Sequence, residues 1–495
     1  MNKIIYTLFV GIILNGYLYA QGVSDAIRWS QNDIGGTARV LGVGGAFGAM
    51  GGDFSVVNIN PAGVGEYKKS EFVFTPSINS SDATSYLISD LNSTERFSDS
   101  RFGIENVGVV FSSQPVGGKW YNSNFLIGFS RISNLNKSFS YVGRGPGSIT
   151  ERWAALAQGL SLDDLDDFEA WPAFRTGAIY TIGGGRDYFT DFDGIEAPIL
   201  RRQTVSQRGS LNEFSLGWAG NYDSKINIGV SVGIPIASFE ETKFYEESDP
   251  NGDVPLFENL SFLEYLNTTG VGFNFKTGFI LNFNRVLRIG GAIHSPTWFR
   301  LNDDYYTEVS YTYLDNNSPI TNREASPSGF FKYTLNTPWR MIGSIGSIYQ
   351  LGAIQGFINM DLEYLNYANN KFNFSAFSND PAEAINTIEA NRNIKRSLDK
   401  SLVMRIGSEL AKDNFRFRLG YELAQSPFFN EDKHGSAFSF GLGFRGDNFF
   451  VDFGMRFSNS TIGFSPYFVE DAQRQPLVNV DGSIMRTALT AGFKF

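Results

Sequence analysis

The sequence contains no cysteine and only two histidines, His294 and His434. The absence of cysteine excludes disulfides, thiolate metal sites and cysteine nucleophiles. Two histidines argue against a histidine-rich metal site or a haem site, and they leave no credible Ser-His-Asp triad. We therefore predict no metal, no cofactor and no enzymatic activity.

Positive charge and long apolar runs are also scarce. Lys and Arg number 41 against 51 Asp and Glu, and the net charge of -10 disfavours a nucleic-acid partner. The largely apolar run 4–14 follows Lys3 and is too short to span a bilayer as a helix. Together with the segment "NGYLYAQG" that follows it, this run predicts a signal peptide over 1–20, cut after Ala20, and hence an exported chain.

What the sequence has in abundance is glycine and aromatic residues, with 53 Gly, 46 Phe and 22 Tyr. Apolar residues alternate with glycine and polar residues in many segments. In "INIGVSVGIPI" (226–236), for example, every second residue is Ile or Val, and Asn, Gly, Ser and Pro lie between them. This period of two predicts antiparallel strands with one apolar face.

Strand length and number favour a transmembrane barrel over a soluble sandwich. The strands run about 9–12 residues, the length that crosses a bilayer when tilted. Their polar faces carry arginines, carboxylates and glycines, which suit a wet lumen. We predict fourteen strands, an even number typical of bacterial barrels: 71–80, 104–114, 122–132, 210–220, 226–237, 269–281, 285–296, 338–349, 353–366, 401–411, 414–425, 436–445, 448–458 and 485–495.

The connections alternate between short and long, which is the outer-membrane pattern of short periplasmic turns and long external loops. The short connections are "PVGGKWY", "NYDSK", "NFN", "QLG", "KD" and "GD". The connections between them are mostly long, namely 133–209, 238–268, 297–337, 367–400 and 459–484. The strand count places both chain ends on the periplasmic side. The chain ends on Phe495 in an alternating strand, which resembles the signal read by barrel-assembly machinery.

The stretch "GVGGAFGAMGGDFSVVNINPAG" (42–63) precedes the first strand. It lacks the G-x-G-x-x-G spacing of a dinucleotide site and the G-K-[ST] of a phosphate loop. It is also too apolar for a solvated linker. We therefore predict that residues 21–70 form a plug inside the barrel of residues 71–495, where glycines permit close packing against the wall.

The same stretch resembles the N-terminal hatch of the FadL/TodX family of outer-membrane transporters for long-chain fatty acids and aromatic hydrocarbons. The resemblance is carried by Ala38-Arg39, the glycine-rich segment Gly44 to Gly52, Asp53 and the element Asn60-Pro61-Ala62. It implies a porin-like passive channel of a Gram-negative outer membrane, in contact with membrane lipid. In the family, a hydrophobic ligand reaches a pocket against the hatch and leaves sideways through the wall near the third strand.

Three sets of site residues follow from this interpretation. We expect Phe47, Met50 and Phe54 to face a lumenal ligand pocket, because flexible methionine and aromatic rings suit loosely specified apolar ligands. Asn60, Pro61 and Ala62 are assigned to the shape of the hatch, with Pro61 fixing the turn towards the first strand. Gly128 marks either a kink or bulge at a lateral exit in the third strand, or simply a small lumen residue.

Several alternatives stay open. Instead of transporting, the chain could be a FadL-like accessory subunit of a larger outer-membrane complex such as secretion or barrel-assembly machinery. An outer-membrane phospholipase or protease is the enzyme alternative. The helix-like segment 150–174 of the largest loop is either an apolar landing site or a subdomain that packs on itself. Acidic clusters at 187–193 and 249–253 could bind calcium but fit solvated turns better.

Charged residues on the later strands could be mistaken for a catalytic set. We interpret them instead as paired charges that line the lumen and hold the hatch. They are Arg405, Glu409, Arg416, Arg418, Glu422, Arg445, Asp452 and Arg456.

Overall fold

The computed structural model describes residues 22–495 except 34, 90, 117, 432 and 472, so the predicted signal peptide lies outside the described residues. Within them, fourteen antiparallel strands pair in sequence order, and the last strand pairs with the first to close a barrel. The barrel strands are β1 Glu71–Leu87, β2 Glu95–Ser113, β3 Trp120–Asn134, β4 Ile199–Tyr222, β5 Ile226–Ser248, β6 Phe257–Asn282, β7 Leu287–His294, β8 Arg340–Leu351, β9 Ile354–Asn366, β10 Lys400–Lys412, β11 Phe415–Gln425, β12 His434–Arg445, β13 Phe449–Phe464 and β14 Val478–Lys494.

All fourteen predicted strands are confirmed, and several are longer than predicted at the end that leads into a long loop. The prediction for β6 covers 269–281, whereas the strand begins at Phe257. The extensions were missed because their outward residues are mostly polar, so the apolar alternation that marks a lipid-facing strand stops there.

A belt of exposed apolar side chains surrounds the barrel. On β5, Ile228, Val230 and Ile234 are 40%, 51% and 41% exposed, while the alternate residues face inwards. No described helix is long and apolar enough to cross a membrane. A closed antiparallel barrel with an outward apolar belt is the architecture of an outer-membrane protein, which places this chain in an outer membrane.

Six further strands extend the same sheet on the external side, and a separate two-stranded sheet lies in the largest loop. The extending strands are Leu91–Ser93, Lys137–Gly145, Trp298–Asp315, Ser318–Ala325, Gly329–Asn336 and Lys371–Asn373, and the separate pair is Tyr180–Thr181 with Tyr188–Phe189. The helices are α1 Val23–Ser30, α2 Ala38–Gly42, α3 Ile149–Ala157, α4 Ala170–Thr176 and α5 Pro381–Ser397. Short 3₁₀ helices span Phe54–Asn58, Pro61–Glu66, Leu162–Asp164 and Tyr367–Asn369.

The hatch, residues 22–70 as described, lies against the inner wall. A Cβ atom at Gly42 would lie 2.9 Å from the Cα of Gly441 on β12, so the two backbones approach as closely as glycine allows. Asp361 on β9 accepts the backbone N–H groups of Phe47 and Gly48 at 2.9 and 3.1 Å. Arg39 donates to the Glu409 carboxylate on β10. Hydrogen bonds, ion pairs and close backbone contact therefore fix the hatch to the wall.

Part of the largest loop forms an external cap inside the extended wall. Trp153 of α3 is fully buried and meets Phe262 of β6 edge to face, with ring centroids 5.4 Å apart. Leu160 and Leu162 are 37% and 44% exposed. Most of the helix-like segment thus packs on itself and on the wall, and its role as a landing site stays a prediction.

Candidate functional site

The three apolar hatch residues are packed against the wall and do not face an open pocket. Phe47 is fully buried and meets Phe357 of β9 at right angles, with centroids 5.4 Å apart. The methyl group of Met50 lies against Gly346 of β8. Phe47 and Met50 therefore face the wall and not an open pocket, because Phe47 packs on the ring of Phe357 and Met50 fills the space beside Gly346; their role in ligand binding stays a prediction.

Phe54 fills a notch on the other side of the barrel. Its ring lies over Gly108 of β2 and Gly128 of β3, which are directly opposite each other in the ladder. A Cβ atom at Gly128 would lie 2.5 Å from Cζ of Phe54 and 2.6 Å from the carbonyl oxygen of Val107. Gly128 therefore faces the lumen and the hatch, and its role at a lateral exit stays a prediction.

The Asn60-Pro61-Ala62 element starts a 3₁₀ helix, with Pro61 at its first position. The Asn60 side chain accepts the N–H of Ala62 at 3.2 Å. It also donates to the carbonyls of Gly48 and Phe279 at 2.7 and 3.0 Å, which ties the hatch to itself and to β6. These contacts support the shaping role assigned to the element, which stays a prediction.

The bulge expected at Gly128 lies four residues further along β3. Gly128 pairs regularly with Gly108 and Ser215, whereas the register with β4 shifts between Arg131 and Ser133. β2 has its own irregularity at the same level, where the pairing with β1 shifts between Thr75 and Pro76. Pro76 has no N–H to donate, so the ladder cannot run regularly through it.

Beside these two bulges the hydrogen-bonded ladder between neighbouring strands is interrupted, and we call this interruption the window. The ladder between β2 and β3 ends at the pair Asn106–Ser130. Above it, the described residues 95–105 and 131–141 form no ladder with each other, and pairing resumes only where Ser93 meets Val142. The window is therefore bounded by β2 on one side, by β3 and Lys137–Gly145 on the other, and by a short ladder at each end.

The edges of the window are polar. Arg131 lies 3.7 Å from Glu105, and Asp33 of the hatch donates its N–H to the carbonyl of Ile132 at 2.9 Å. The Asp33 carboxylate accepts from Arg486 of β14 at 3.2 Å. The hatch residue Asp33 thus gives the bulged strand β3 a backbone hydrogen bond at Ile132, beyond the point where its ladder with β2 ends.

Several buried polar atoms at the window have no hydrogen-bond partner within the described part of the chain. They are the side-chain amide atoms of Asn106, Oγ of Ser130, Oε2 of Glu105 and Nε of Arg131. Buried polar groups without partners are costly, so this is where water or a solute's polar group would be held.

Inside the barrel, a cavity of about 80 Å³ lies between α1 and the rest of the hatch and reaches the window at Arg131 and Ile132. Its charged groups are paired: Lys276 donates to Glu213, and Arg340 donates to Glu363 at 2.7 Å. His294 lies between the carbonyl of Ile59, 3.1 Å from Nε2, and the Arg340 guanidinium, 3.5 Å from Nδ1. The cavity floor is therefore polar and charged.

On its external side the same cavity meets an apolar cluster. Trp29 of α1 is 2% exposed and packs against Phe239 and Phe299, with centroids 6.3 and 6.4 Å apart. Leu211 and Leu365 belong to this cluster and also line the cavity. A path inwards from outside therefore passes from apolar to charged surroundings at the level of the window.

Most of the charges predicted to line the lumen belong to two ion-pair networks, one around Arg418 and one around Arg405. Arg418 is fully buried between Glu409 and Asp452, at 2.6 and 2.8 Å, and Arg405 bridges Glu363 and Glu422. Arg416 differs, because it donates to turn carbonyls at Asp413 and Phe415.

The acidic clusters of the external loops are engaged by the protein itself. Asp249 accepts the backbone N–H groups of Asn251 and Val254, and Asp191 accepts the hydroxyl of Tyr311 at 2.5 Å. No group of three or more His, Asp or Glu suited to a metal was found among the described residues.

Sequence reasoning missed the window residues Asp33, Glu105, Arg131 and Arg486. One signal was available in Pro76, since a proline inside a predicted barrel strand indicates a bulge. Pro76 indicates at which height in the barrel the strand pairing is irregular. It does not indicate which residues of the hatch, β2, β3 and β14 come together there.

No protein-family model matches the chain, and no curated protein matches it in sequence. Solved structures match its fold. The toluene transporter TodX of Pseudomonas putida is similar with a TM-score of 0.50 at 11% identity, covering 94% of this chain and 99% of that chain. A FadL homologue of Pseudomonas aeruginosa gives a TM-score of 0.50 at 10% identity, with the same coverage. The fold of this chain is therefore that of the FadL and TodX outer-membrane barrels.

Proposed function

We propose that this protein is a passive outer-membrane channel for hydrophobic small molecules, fatty-acid-like or aromatic, and that they leave it sideways through the window between β2 and β3. The observation that carries the proposal is the window itself, where the ladder of the wall is interrupted beside a cavity that has apolar residues on its external side and paired charges on its inner side. The toluene transporter that shares the fold supports the solute class.

The order of environments along the barrel favours a lateral route. A solute entering from outside would pass the external cap and the paired charges of Glu241, Lys243 and Glu264, and would then reach the apolar cluster around Trp29. Continuing straight, it would meet the paired charges around Lys276 and Arg340 and then the hatch. An apolar solute gains nothing from charged surroundings, whereas the membrane beside the window is an apolar phase.

Within this proposal the hatch is residues 21–70, and Phe54, which is fully buried in its notch, would contact a ligand once its ring moves. The Gly108–Gly128 notch that holds its ring lies two residues below the Asn106–Ser130 end of the window. Phe47 and Met50 hold the hatch to β8 and β9 on another part of the wall, so a ligand would reach them only after the hatch moves.

The test is a bulky residue in the window. Gly103 of β2 faces the Arg131 guanidinium, so Gly103→Phe would place a ring in the window and displace a flexible side chain. The matched control is Gly343→Phe on β8, because a Cβ atom there meets nothing within 4 Å. We expect Gly103→Phe to abolish uptake of radiolabelled toluene or oleate by cells that lack other such channels, and Gly343→Phe to leave uptake intact.

Heat-modifiable electrophoretic mobility would show that both variants contain a folded barrel. Equal uptake by the two variants would show that the window is not the exit. If the unmodified chain restores no uptake at all, the transport proposal itself fails. Stable partners that co-purify in mild detergent would then favour the accessory-subunit alternative, which otherwise stays a prediction.

A further inference from the structure

A row of aromatic side chains lies on the outer face of the extended wall. Phe244 is on β5, Tyr265 on β6 and Tyr306 on the strand Trp298–Asp315. In the ladders, Tyr265 is opposite Tyr306, and Phe244 is opposite Leu263, two residues from Tyr265. The alternate residues on the same strands, such as Phe262, are buried under the external cap, so this row faces away from the barrel.

The two central rings of the row stack on each other, and the rings at its two ends are exposed. Tyr265 and Tyr306 are stacked, with centroids 5.1 Å apart and an interplanar angle of 29°. Phe244 and Tyr306 are 40% and 37% exposed. Phe330, on the next strand, is 58% exposed and lies opposite Asp304, two residues from Tyr306. Four aromatic residues from four neighbouring strands thus form an oblique row, in which Tyr265 and Tyr306 are directly opposite and Phe244 and Phe330 lie diagonally beside them at about 7–8 Å.

This row is separate from the lipid-facing belt. The exposed apolar residues of β5 and β6 reach Ile236 and Val271, and Ser238, Glu240 and Asn267 lie between them and the row. Tyr265 is six residues beyond Val271, about 20 Å along the strand and roughly 15 Å above the belt once the strand tilt is allowed for. The row therefore lies outside the hydrocarbon region of the membrane, at the level of the material on the surface of the outer leaflet.

Polar groups flank the aromatic row. Oε2 of Glu240 lies 3.5 Å from the Tyr265 hydroxyl. On the opposite flank, Glu308 pairs with Arg323 at 3.2 Å, and the Lys332 ammonium lies 5.0 Å from the ring centroid of Phe330. Flat rings bordered by hydrogen-bonding groups suit a sugar chain, whose rings present C–H groups on their faces and hydroxyls around their edges.

We propose that this aromatic row is a binding platform for the saccharide chain of lipopolysaccharide in the same membrane. The platform faces sideways rather than towards the medium, and it lies above the lipid, where the saccharide of a neighbouring lipopolysaccharide molecule stands. Its spacing across four strands suits successive sugar rings of an extended chain. The site is independent of the window and of transport.

The test is binding of delipidated lipopolysaccharide saccharide to the full-length barrel in detergent. The double variant Tyr265→Ala/Tyr306→Ala should weaken binding by at least about tenfold, since a loss of only about 1.4 kcal/mol gives that factor. The matched control is Phe102→Ala, an aromatic residue on β2 that is 74% exposed and lies outside the platform; this variant should bind like the unmodified protein.

Electrophoretic mobility and native-state proteolysis would confirm that the double variant keeps its fold, and Phe330→Ala provides a second variant at the end of the row. The proposal is overturned if the unmodified barrel does not bind the saccharide, or if the platform variants bind it as well as the control. Equal binding of vesicles that contain lipid A without saccharide would also overturn it, because lipid contact would then explain the interaction.

Discussion

The contact between Phe54 and the two-glycine notch can be tested by a double-mutant cycle. The three atoms nearest to a Cβ atom built at Gly108 all belong to the Phe54 ring. Gly108→Ala should therefore cost about 1–3 kcal/mol through overpacking. Phe54→Ala should cost about 3–5 kcal/mol, because strand backbone surrounds the ring and cannot collapse into the space it leaves.

Combined, the two substitutions should cost less than their sum by about 1–3 kcal/mol, since the new methyl group enters space that the ring has vacated. The absence of cysteine allows a direct assay: Val57→Cys places a single thiol at a fully buried hatch position. The rate of thiol labelling then reports the free energy of local hatch opening in each variant. Additive effects within error would refute the packing argument.

Two further substitutions test the ion pairs that hold the cap and the lumen. Glu247→Gln removes the carboxylate that accepts the N–H at the start of α3, so we expect faster proteolysis of the external cap with unchanged barrel mobility; unchanged cleavage would contradict this anchoring role. Arg418→Met leaves Glu409 and Asp452 without their shared partner. It should lower the stability by about 3–5 kcal/mol in thermal or urea unfolding. Arg416→Met, which removes only bonds to turn carbonyls, is the control, and an equal loss in both variants would argue against a specific network.

The barrel was predictable because each of its signals is local. In segments such as 226–236, strict alternation gives the strand and its lipid-facing side, and the short turns give the direction of each strand. The external extensions and the cap were less visible. There, Tyr245 and Trp153 are buried by other loops, which a single strand's pattern does not show.

For the candidate site, the sequence predicted only its approximate height along the barrel. A glycine-rich hatch and a defect near β3 follow from sequence patterns, but the side-chain directions do not. Phe47 and Met50 were expected to face a pocket, yet Phe47 packs on Phe357 and Met50 fills the space beside Gly346, about three hundred residues away along the chain. Such contacts exist only once the strands are in register.

The sequence by itself therefore determined an exported, cysteine-free chain of alternating strands with a glycine-rich segment to fill the lumen, because these depend on composition and on a period of two. The tertiary structure alone decided where the wall opens, which charges meet there, and that the external face carries a row of aromatic rings. Asp33, Glu105, Arg131 and Arg486 come from four separate segments, and Phe244, Tyr265, Tyr306 and Phe330 come from four strands. Only barrel closure and strand register bring such residues together, and neither is a property of any one segment.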